Sequence, residues 1–182
     1  ISSTIGWIVA QQRPELFSKL VAVCPSPCFL NIDEEYQGGF ERQDLENLIQ
    51  LMDKDYIGWG NYLAPIVMGN DLSPIGPGMS ENDALVHELL SSFCSTDVTY
   101  SKPFAQATFF SDYRSLLPSI SHPCLILQSS NDTLVAKSVG EYTQKKLKNA
   151  KLEVIEGNGH CLHMTHPQHV LNAMDTFLQE NE

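Results

Sequence analysis

The sequence predicts an α/β protein whose mostly parallel sheet is interrupted by a long helical insertion. Short, continuous apolar runs at residues 20–24 and 123–128 are typical of strands that are buried on both faces. Helical periods precede or follow these runs, and alternating helices and buried strands indicate a parallel sheet. Between residues 25 and 110 strand signals vanish and only helical periods remain.

Composition limits the classes of function. With 182 residues, 42% hydrophobic and 18% charged, the chain can bury a sizeable apolar core. Its 22 acidic and 11 basic residues give a formal net charge of −11. Such a surface repels phosphate groups, so nucleic acid and anionic membranes are disfavoured as partners. We also find no apolar run of about eighteen residues, the length that a membrane span requires.

Five scattered cysteines predict free thiols and therefore a cytoplasmic protein. Cys24 and Cys28 have a spacing that could bind a metal ion. However, Pro25 and Pro27 stiffen that segment and no second pair follows, so we expect no zinc there.

The core is predicted in two parts, at residues 1–24 and 111–182. The first part contains a helix over residues 1–12, which ends before Pro14, and the strand at 20–24. The second contains a short helix near 113–117, strands at 123–128 and 152–155, and helices at 135–147 and 167–180.

Residues 25–110 are predicted to form a helical lid over a pocket. The insertion is rich in aromatic residues, as a cap over an apolar ligand requires, and residues 70–82 indicate a loop. Four apolar stripes predict four helices: Leu45, Leu48, Ile49 and Met52; Trp59, Leu63 and Ile66; Leu85, Leu89, Leu90 and Phe93; Phe104, Ala107, Phe109 and Phe110.

Two titratable residues follow successive predicted strands. Asp132 comes just after strand 123–128, and His160 comes just after strand 152–155. Because catalytic groups of parallel sheets sit at the carboxyl ends of strands, we expect the two side chains to meet. An acid followed by a base along the chain is the order of the α/β-hydrolase triad, in which the nucleophile comes first.

The nucleophile is not evident in these residues. No Gly-x-Ser-x-Gly motif occurs, but Ile1-Ser2-Ser3 and the apolar helix after it look like a nucleophile elbow cut just after its reactive residue. In that interpretation the Ile1 backbone N–H belongs to the oxyanion hole. Ser2 or Ser3 as the nucleophile is the alternative.

A metal site is a second interpretation of the C-terminal histidines. His160, His163, His166 and His169 recur every three residues. Glycines before His160 and Pro167 interrupt any helix there, and no carboxylate or thiolate is paired with them at ligand spacing, so we expect no metal.

Several segments resemble the RsbQ-like α/β-hydrolases. This family includes the bacterial hydrolase that activates the sigma-B stress response together with a phosphatase, and the plant karrikin and strigolactone receptors. The resemblance covers essentially the whole chain, and the segments that carry it are residues 13–20, 25–31, 36–40, 56–59, 93–97, 109–112 and 159–164.

The resemblance implies the C-terminal half of an α/β-hydrolase sheet with an inserted four-helix, V-shaped lid. It implies a Ser–Asp–His triad in which Asp132 is the acid, His160 the base and the Ser immediately precedes Ile1. No cofactor is implied. The positions that match a closed, apolar substrate pocket are Phe29, Phe40, Leu48, Trp59, Leu63, Phe109, Thr133 and Leu134.

Three functions remain open at this stage. The first is a serine hydrolase of small apolar esters or lactones, in a stress-signalling role with a phosphatase of the RsbP type as partner. The second is a ligand sensor that reports pocket occupancy to a protein partner with little turnover. The third is an aspartate-nucleophile hydrolase. Loop 70–82 is longer than is typical of the family, which affects any partner surface on the lid.

Overall fold

The computed structural model describes residues 1–69 and 81–180, with backbone only at residues 81 and 82. The predicted loop at 70–82 therefore lies outside the described residues, except that residues 81 and 82 open a helix. The helices are α1 (Ser2–Gln12), α2 (Arg42–Lys54), α3 (Tyr56–Val67), α4 (Glu81–Cys94), α5 (Val98–Phe110), α6 (Lys137–Lys146), α7 (Leu162–Thr165) and α8 (Pro167–Gln179). The strands are β1 (Leu20–Val23), β2 (Asn31–Asp33), β3 (Tyr36–Gln37), β4 (Cys124–Asn131) and β5 (Ala150–Asn158).

The main sheet has three parallel strands in the order β1-β4-β5. Leu20 pairs with Cys124, and Cys124 pairs with Ala150, so all three strands start at the same edge. The strands predicted from the sequence are confirmed, and β4 and β5 both extend further than predicted. Their carboxyl ends consequently lie side by side, at Asn131 and Asn158.

Strand β4 forms the centre of the core because both of its faces are buried. Cys124 and Ile126 pack on one face, in a cluster with Trp7 of α1. Leu125 and Leu127 pack on the other face, in a cluster with Phe177 of α8. Successive side chains of a strand point to opposite faces, which explains why this strand reads as a continuous apolar run.

The insertion contains the four predicted helices, α2 to α5. Apolar residues of these helices join Val135, Val139 and Cys161 of the sheet-bearing part in one cluster. Leu45, Ile49 and Met52 lie on the buried face of α2, as their spacing predicts. The helices therefore cover the part of the molecule where β4 and β5 end. None of the described helices has both the length and the apolar character needed to cross a bilayer.

Two predictions within the insertion were wrong. Residues 31–37 contain the antiparallel hairpin β2–β3, which is too short to show an alternating pattern. Its turn is fixed by Asp33, whose side chain accepts hydrogen bonds from the backbone of residues 35 and 36. On α5, Phe104 is exposed whereas Phe109 is buried, because the buried face of this helix runs through Ala105 instead.

Candidate active site at the carboxyl ends of β4 and β5

Asp132 directly follows β4, and its side chain is fully buried. Its Oδ1 atom accepts hydrogen bonds from the backbone N–H groups of Leu134, at 2.8 Å, and Val135, at 3.0 Å. An Asp side chain that caps its own turn in this way is fixed in direction. The second oxygen, Oδ2, is thereby turned toward β5.

His160 receives that second oxygen. Its Nδ1 atom lies 2.9 Å from Oδ2 of Asp132, and 26% of the His160 side chain is exposed. Because a carboxylate can only accept, Nδ1 carries the proton and Nε2 is the basic nitrogen. Within residues 1–69 and 81–180, no group is hydrogen-bonded to Nε2. The imidazole is therefore oriented by Asp132 and keeps one nitrogen available.

Helix α3 of the insertion ends directly against the loop that carries His160. The backbone N–H of His160 donates to the carbonyl of Val67 at 2.7 Å, and Thr133 Oγ1 donates to the carbonyl of Ile66 at 3.1 Å. Gly69 and Gly159 make the contact possible, since both have positive φ and a Cβ on either would come within 2.6 Å of the backbone opposite. Both loops of the Asp132–His160 pair are thus attached to the end of α3.

Cys24, which the sequence analysis did not assign to the site, lies beside this pair. It follows β1, has a positive φ of 45° and is 3% exposed. Its Sγ atom lies within 4.8 Å of a carboxylate oxygen of Asp132 and a ring nitrogen of His160. The sequence did offer one signal for it, namely its position directly after a parallel strand.

These three residues are types that bind metals, but their arrangement favours another role. Burial, followed by the charge of Asp132, raises the pKa of the Cys24 thiol. A metal binds the thiolate rather than the thiol, and Asp132 and His160 are bonded to one another. We therefore interpret the group as an acid–base pair with a neutral thiol beside it.

The other C-terminal histidines do not join this group. His163 and His169 are exposed, and His166 packs over Gly157 with its Nδ1 atom 2.9 Å from Thr165 Oγ1. Within the described part of the chain, the one metal-capable group is that of Cys24, Asp132 and His160.

Five of the eight predicted substrate-binding residues line one cavity of about 410 Å³ between α2, α3 and the loop after Asp132. They are Phe40, Leu48, Leu63, Thr133 and Leu134. The other three lie in the packing of the insertion: Phe29 contacts Phe109, with ring centroids 5.2 Å apart, and Trp59 is 5.3 Å from the ring of Phe93. The structure thus places the first five around one space and the other three in the adjacent aromatic core.

Comparison with known proteins shows the fold of this chain. A family model described as the alpha/beta hydrolase fold matches residues 94–167, the segment that carries both Asp132 and His160. A solved structure of a hydrolase from Oleispira antarctica superimposes on 99% of the chain with a TM-score of 0.89 and 48% sequence identity; the chain covers 63% of it. The chain has the α/β-hydrolase fold.

Two of the curated relatives of this chain come from plants. A protein named as a probable esterase, from Oryza sativa subsp. japonica, is 35% identical over the whole chain, which spans 64% of it. A protein named karrikin insensitive 2 receptor CA, from Petunia hybrida, is 35% identical over 96% of the chain, which spans 61% of that receptor. The chain is therefore similar to proteins named as esterases and as receptors, and it spans a little under two thirds of their length.

Before strand β1, helix α1 begins at Ser2, after Ile1. Ser2 is exposed and Ser3 is partly buried. No hydrogen bond joins either hydroxyl to His160 within the described residues.

Proposed function

We propose that the protein is a serine hydrolase of the carboxylesterase type that acts on a small, apolar ester or lactone. The observation that carries the proposal is the hydrogen bond between His160 Nδ1 and Asp132 Oδ2. It orients the imidazole and leaves Nε2 to act as the base. Asp132 holds the tautomer and stabilises the imidazolium that forms during reaction.

In this proposal the nucleophile is a serine immediately before Ile1. Its oxygen attacks the carbonyl carbon while Nε2 of His160 takes the hydroxyl proton, and the same nitrogen then gives that proton to the leaving alcohol. Water, deprotonated by His160, cleaves the acyl-enzyme. The N–H of Ile1, at the start of α1, is proposed to hold the oxyanion.

The cavity lined by Thr133 and Leu134, the two residues after Asp132, supports the proposal of a small apolar substrate. Its volume of about 410 Å³ is in the range of small-molecule sites, and leucine, isoleucine and phenylalanine side chains form most of its wall. Thr133 and Leu134 connect this cavity to the turn that carries the acid. Substrate binding by Phe29, Trp59 and Phe109 belongs to the same proposal, with these rings forming the inner wall of the lid.

The test uses the complete protein, including the residues before Ile1, and a p-nitrophenyl ester. We expect His160→Ala to lower kcat by about 10⁴-fold or more, because the base is lost. His169→Ala, which changes an exposed histidine, is the matched control and should retain wild-type turnover. Cleavage retained in His160→Ala would remove His160 as the base.

A serine-directed phosphonate then identifies the nucleophile by mass spectrometry. We expect the label on the residue that precedes Ile1. A label on Ser2 or Ser3 would overturn the assignment of the elbow, and no label together with esterase activity would favour an aspartate nucleophile.

A ligand-sensing role is the second candidate. It is supported by the relative that is named as a receptor and by the attachment of the lid helix α3 to the loop of His160. In this form the pocket would report occupancy to a protein partner, such as an RsbP-type phosphatase in a cytoplasmic stress response, as the resemblance to RsbQ suggests. An enzyme should release many product molecules per active site, whereas a sensor should stop near one.

A further inference from the structure

Gln128 is a fully buried amide in the middle of an apolar strand. It lies on β4 at 0% exposure, next to Leu127, which is also at 0%. Its Nε2 group donates a hydrogen bond of 2.9 Å to the backbone carbonyl of Val135. Burying an amide in an apolar setting costs free energy unless its groups are paired, so this bond needs a structural explanation.

Val135 is also one of the two residues that bond the acid. Its N–H donates to Oδ1 of Asp132 at 3.0 Å, while its carbonyl accepts from Gln128. The Gln128 amide therefore fixes the far end of the turn that aims Asp132 Oδ2 at His160. Other polar residues at the end of β4 bond elsewhere: Ser129 and Ser130 both donate to the carbonyl of Gly157 on β5.

The surroundings of Gln128 indicate that its N–H donor, and not its carbonyl oxygen, is the group the structure uses. Its Oε1 atom is buried without a hydrogen-bond partner in the described part of the chain. Helix α6 accommodates the amide through Gly140, where a Cβ would come within 3.0 Å of Oε1. An apolar side chain would avoid the free-energy cost of the unpaired oxygen but could not donate a hydrogen bond to the Val135 carbonyl.

We propose that Gln128 is a positioning residue that acts through Val135 to hold the Asp132 carboxylate in hydrogen-bonding alignment with His160. This inference rests on the proposed function for its catalytic consequence, whereas its geometric content concerns the Asp132–His160 bond alone. Gln128 itself does not touch substrate in this proposal. Loss of the amide should let the turn shift and weaken the bond to His160, while the cavity residues outside the turn, such as Phe40, Leu48 and Leu63, stay in place.

The experiment compares Gln128→Leu and Gly140→Ala with the wild type in the complete protein. Gln128→Leu removes the donor, and Gly140→Ala displaces the amide from the opposite side. Gln168→Leu on α8 is the matched control, because within the described residues its amide is hydrogen-bonded to an exposed neighbour, Asn172. The first measurement is the proton NMR resonance of His160 Nδ1–H, which is assigned by its absence in His160→Ala.

We expect the His160 Nδ1–H resonance to shift upfield in both variants, because a longer and less linear hydrogen bond to Asp132 deshields its proton less. The resonance should be unchanged in Gln168→Leu. In ester hydrolysis, kcat should fall about 10- to 100-fold, with a smaller change in KM. An unaltered His160 Nδ1–H resonance would overturn the proposal, even if the variants unfold at a lower temperature.

The two measurements separate this inference from the proposed function. If the wild-type protein does not cleave esters but the His160 Nδ1–H resonance shifts upfield in Gln128→Leu, the hydrolase proposal fails and the positioning role stands. If the wild type cleaves esters and Gln128→Leu changes neither kcat nor this resonance, the positioning role fails and the hydrolase proposal stands.

Discussion

At the scale of single residues, direction matters more than proximity. Asp132 has three hydrogen bonds to its two oxygens, two from backbone and one from His160. The two backbone bonds fix the direction of the carboxylate, so that Oδ2 is held in position to accept the hydrogen bond from His160. Cys24 shows the opposite case, since its thiol is close to the same pair yet is held in the neutral form by burial.

Thiol reactivity tests this contrast between buried and exposed cysteines. Burial raises the pKa of Cys24 and Cys28, and it raises the pKa of both Cys124 and Cys161 to about 11, whereas Cys94 is exposed. Thiolate is the reactive form, so at neutral pH a thiol reagent should modify Cys94 rapidly and the other four only after unfolding.

The measurement is the number of thiols of residues 1–182 that are alkylated, with and without denaturant, followed by peptide mass spectrometry. Cys94→Ser should remove the rapid reaction. Rapid labelling of Cys24 in the folded protein would contradict the neutral, buried state described for its thiol.

At the scale of elements, the decisive feature is the junction between α3 and the loop after β5. Backbone meets backbone there, with Gly69 and Gly159 both at positive φ. A side chain at either position would push the end of α3 away from the loop that carries His160. The end of α3 is consequently a fixed part of the site, and motion that admits a ligand is expected at other parts of the insertion.

We expect Gly159→Ala to destabilise the protein by about 2 kcal/mol or more, because alanine is strained at positive φ and its Cβ would meet the α3 backbone. Gly60→Ala is the matched control: that glycine is helical, and its Cβ would meet only the flexible end of Leu90 closely. The control should stay within about 1 kcal/mol of the wild type. Urea denaturation measures both, and equal midpoints for the two variants would contradict the junction as described.

At the scale of the whole molecule, acidic groups dominate the surface and protonated thiols lie in the interior. The net charge is −11, while Cys124 lies in one core cluster and Cys161 in another. Both thiols have a folded-state pKa of about 11, raised from 9.0 by burial. The folded state therefore keeps protons that the unfolded chain would release at alkaline pH.

This arrangement predicts alkaline destabilisation. The folded-state pKa of each thiol is raised above its unfolded value. Its contribution to the free energy of unfolding is therefore fully present below pH 9.0 and is lost as the pH rises toward about 11. From about pH 8 to pH 10 we expect a loss of about 1 kcal/mol for each of these thiols. Urea denaturation midpoints, measured under reducing conditions across this pH range, report the loss of stability. The midpoint of Cys124→Ala should depend less steeply on pH than that of the wild type. An identical slope in both proteins would contradict this account.

The accuracy of the sequence predictions depended on the length of the pattern. The apolar run at 123–128 and the stripe of Leu45, Ile49 and Met52 were long enough to fix strand and helix, and both are confirmed. The hairpin at residues 31–37 was missed because two- and three-residue strands leave no period. On α5, sequence spacing could not show which of two apolar sides faces inward, and Phe104 proved to be exposed.

By itself, the sequence determined the α/β class, the order of the acid and the base, and their places after two parallel strands. These follow from local chemistry, since burial on both faces and strand-end positions leave a pattern along the chain. Only the tertiary structure decided that Asp132 Oδ2 faces His160 Nδ1 and that Cys24 lies beside this pair. It also decided that Gln128 bonds Val135 and that α3 attaches to the loop of His160. Those contacts join residues that lie far apart in the sequence, and their distances are set by packing, which no local pattern records.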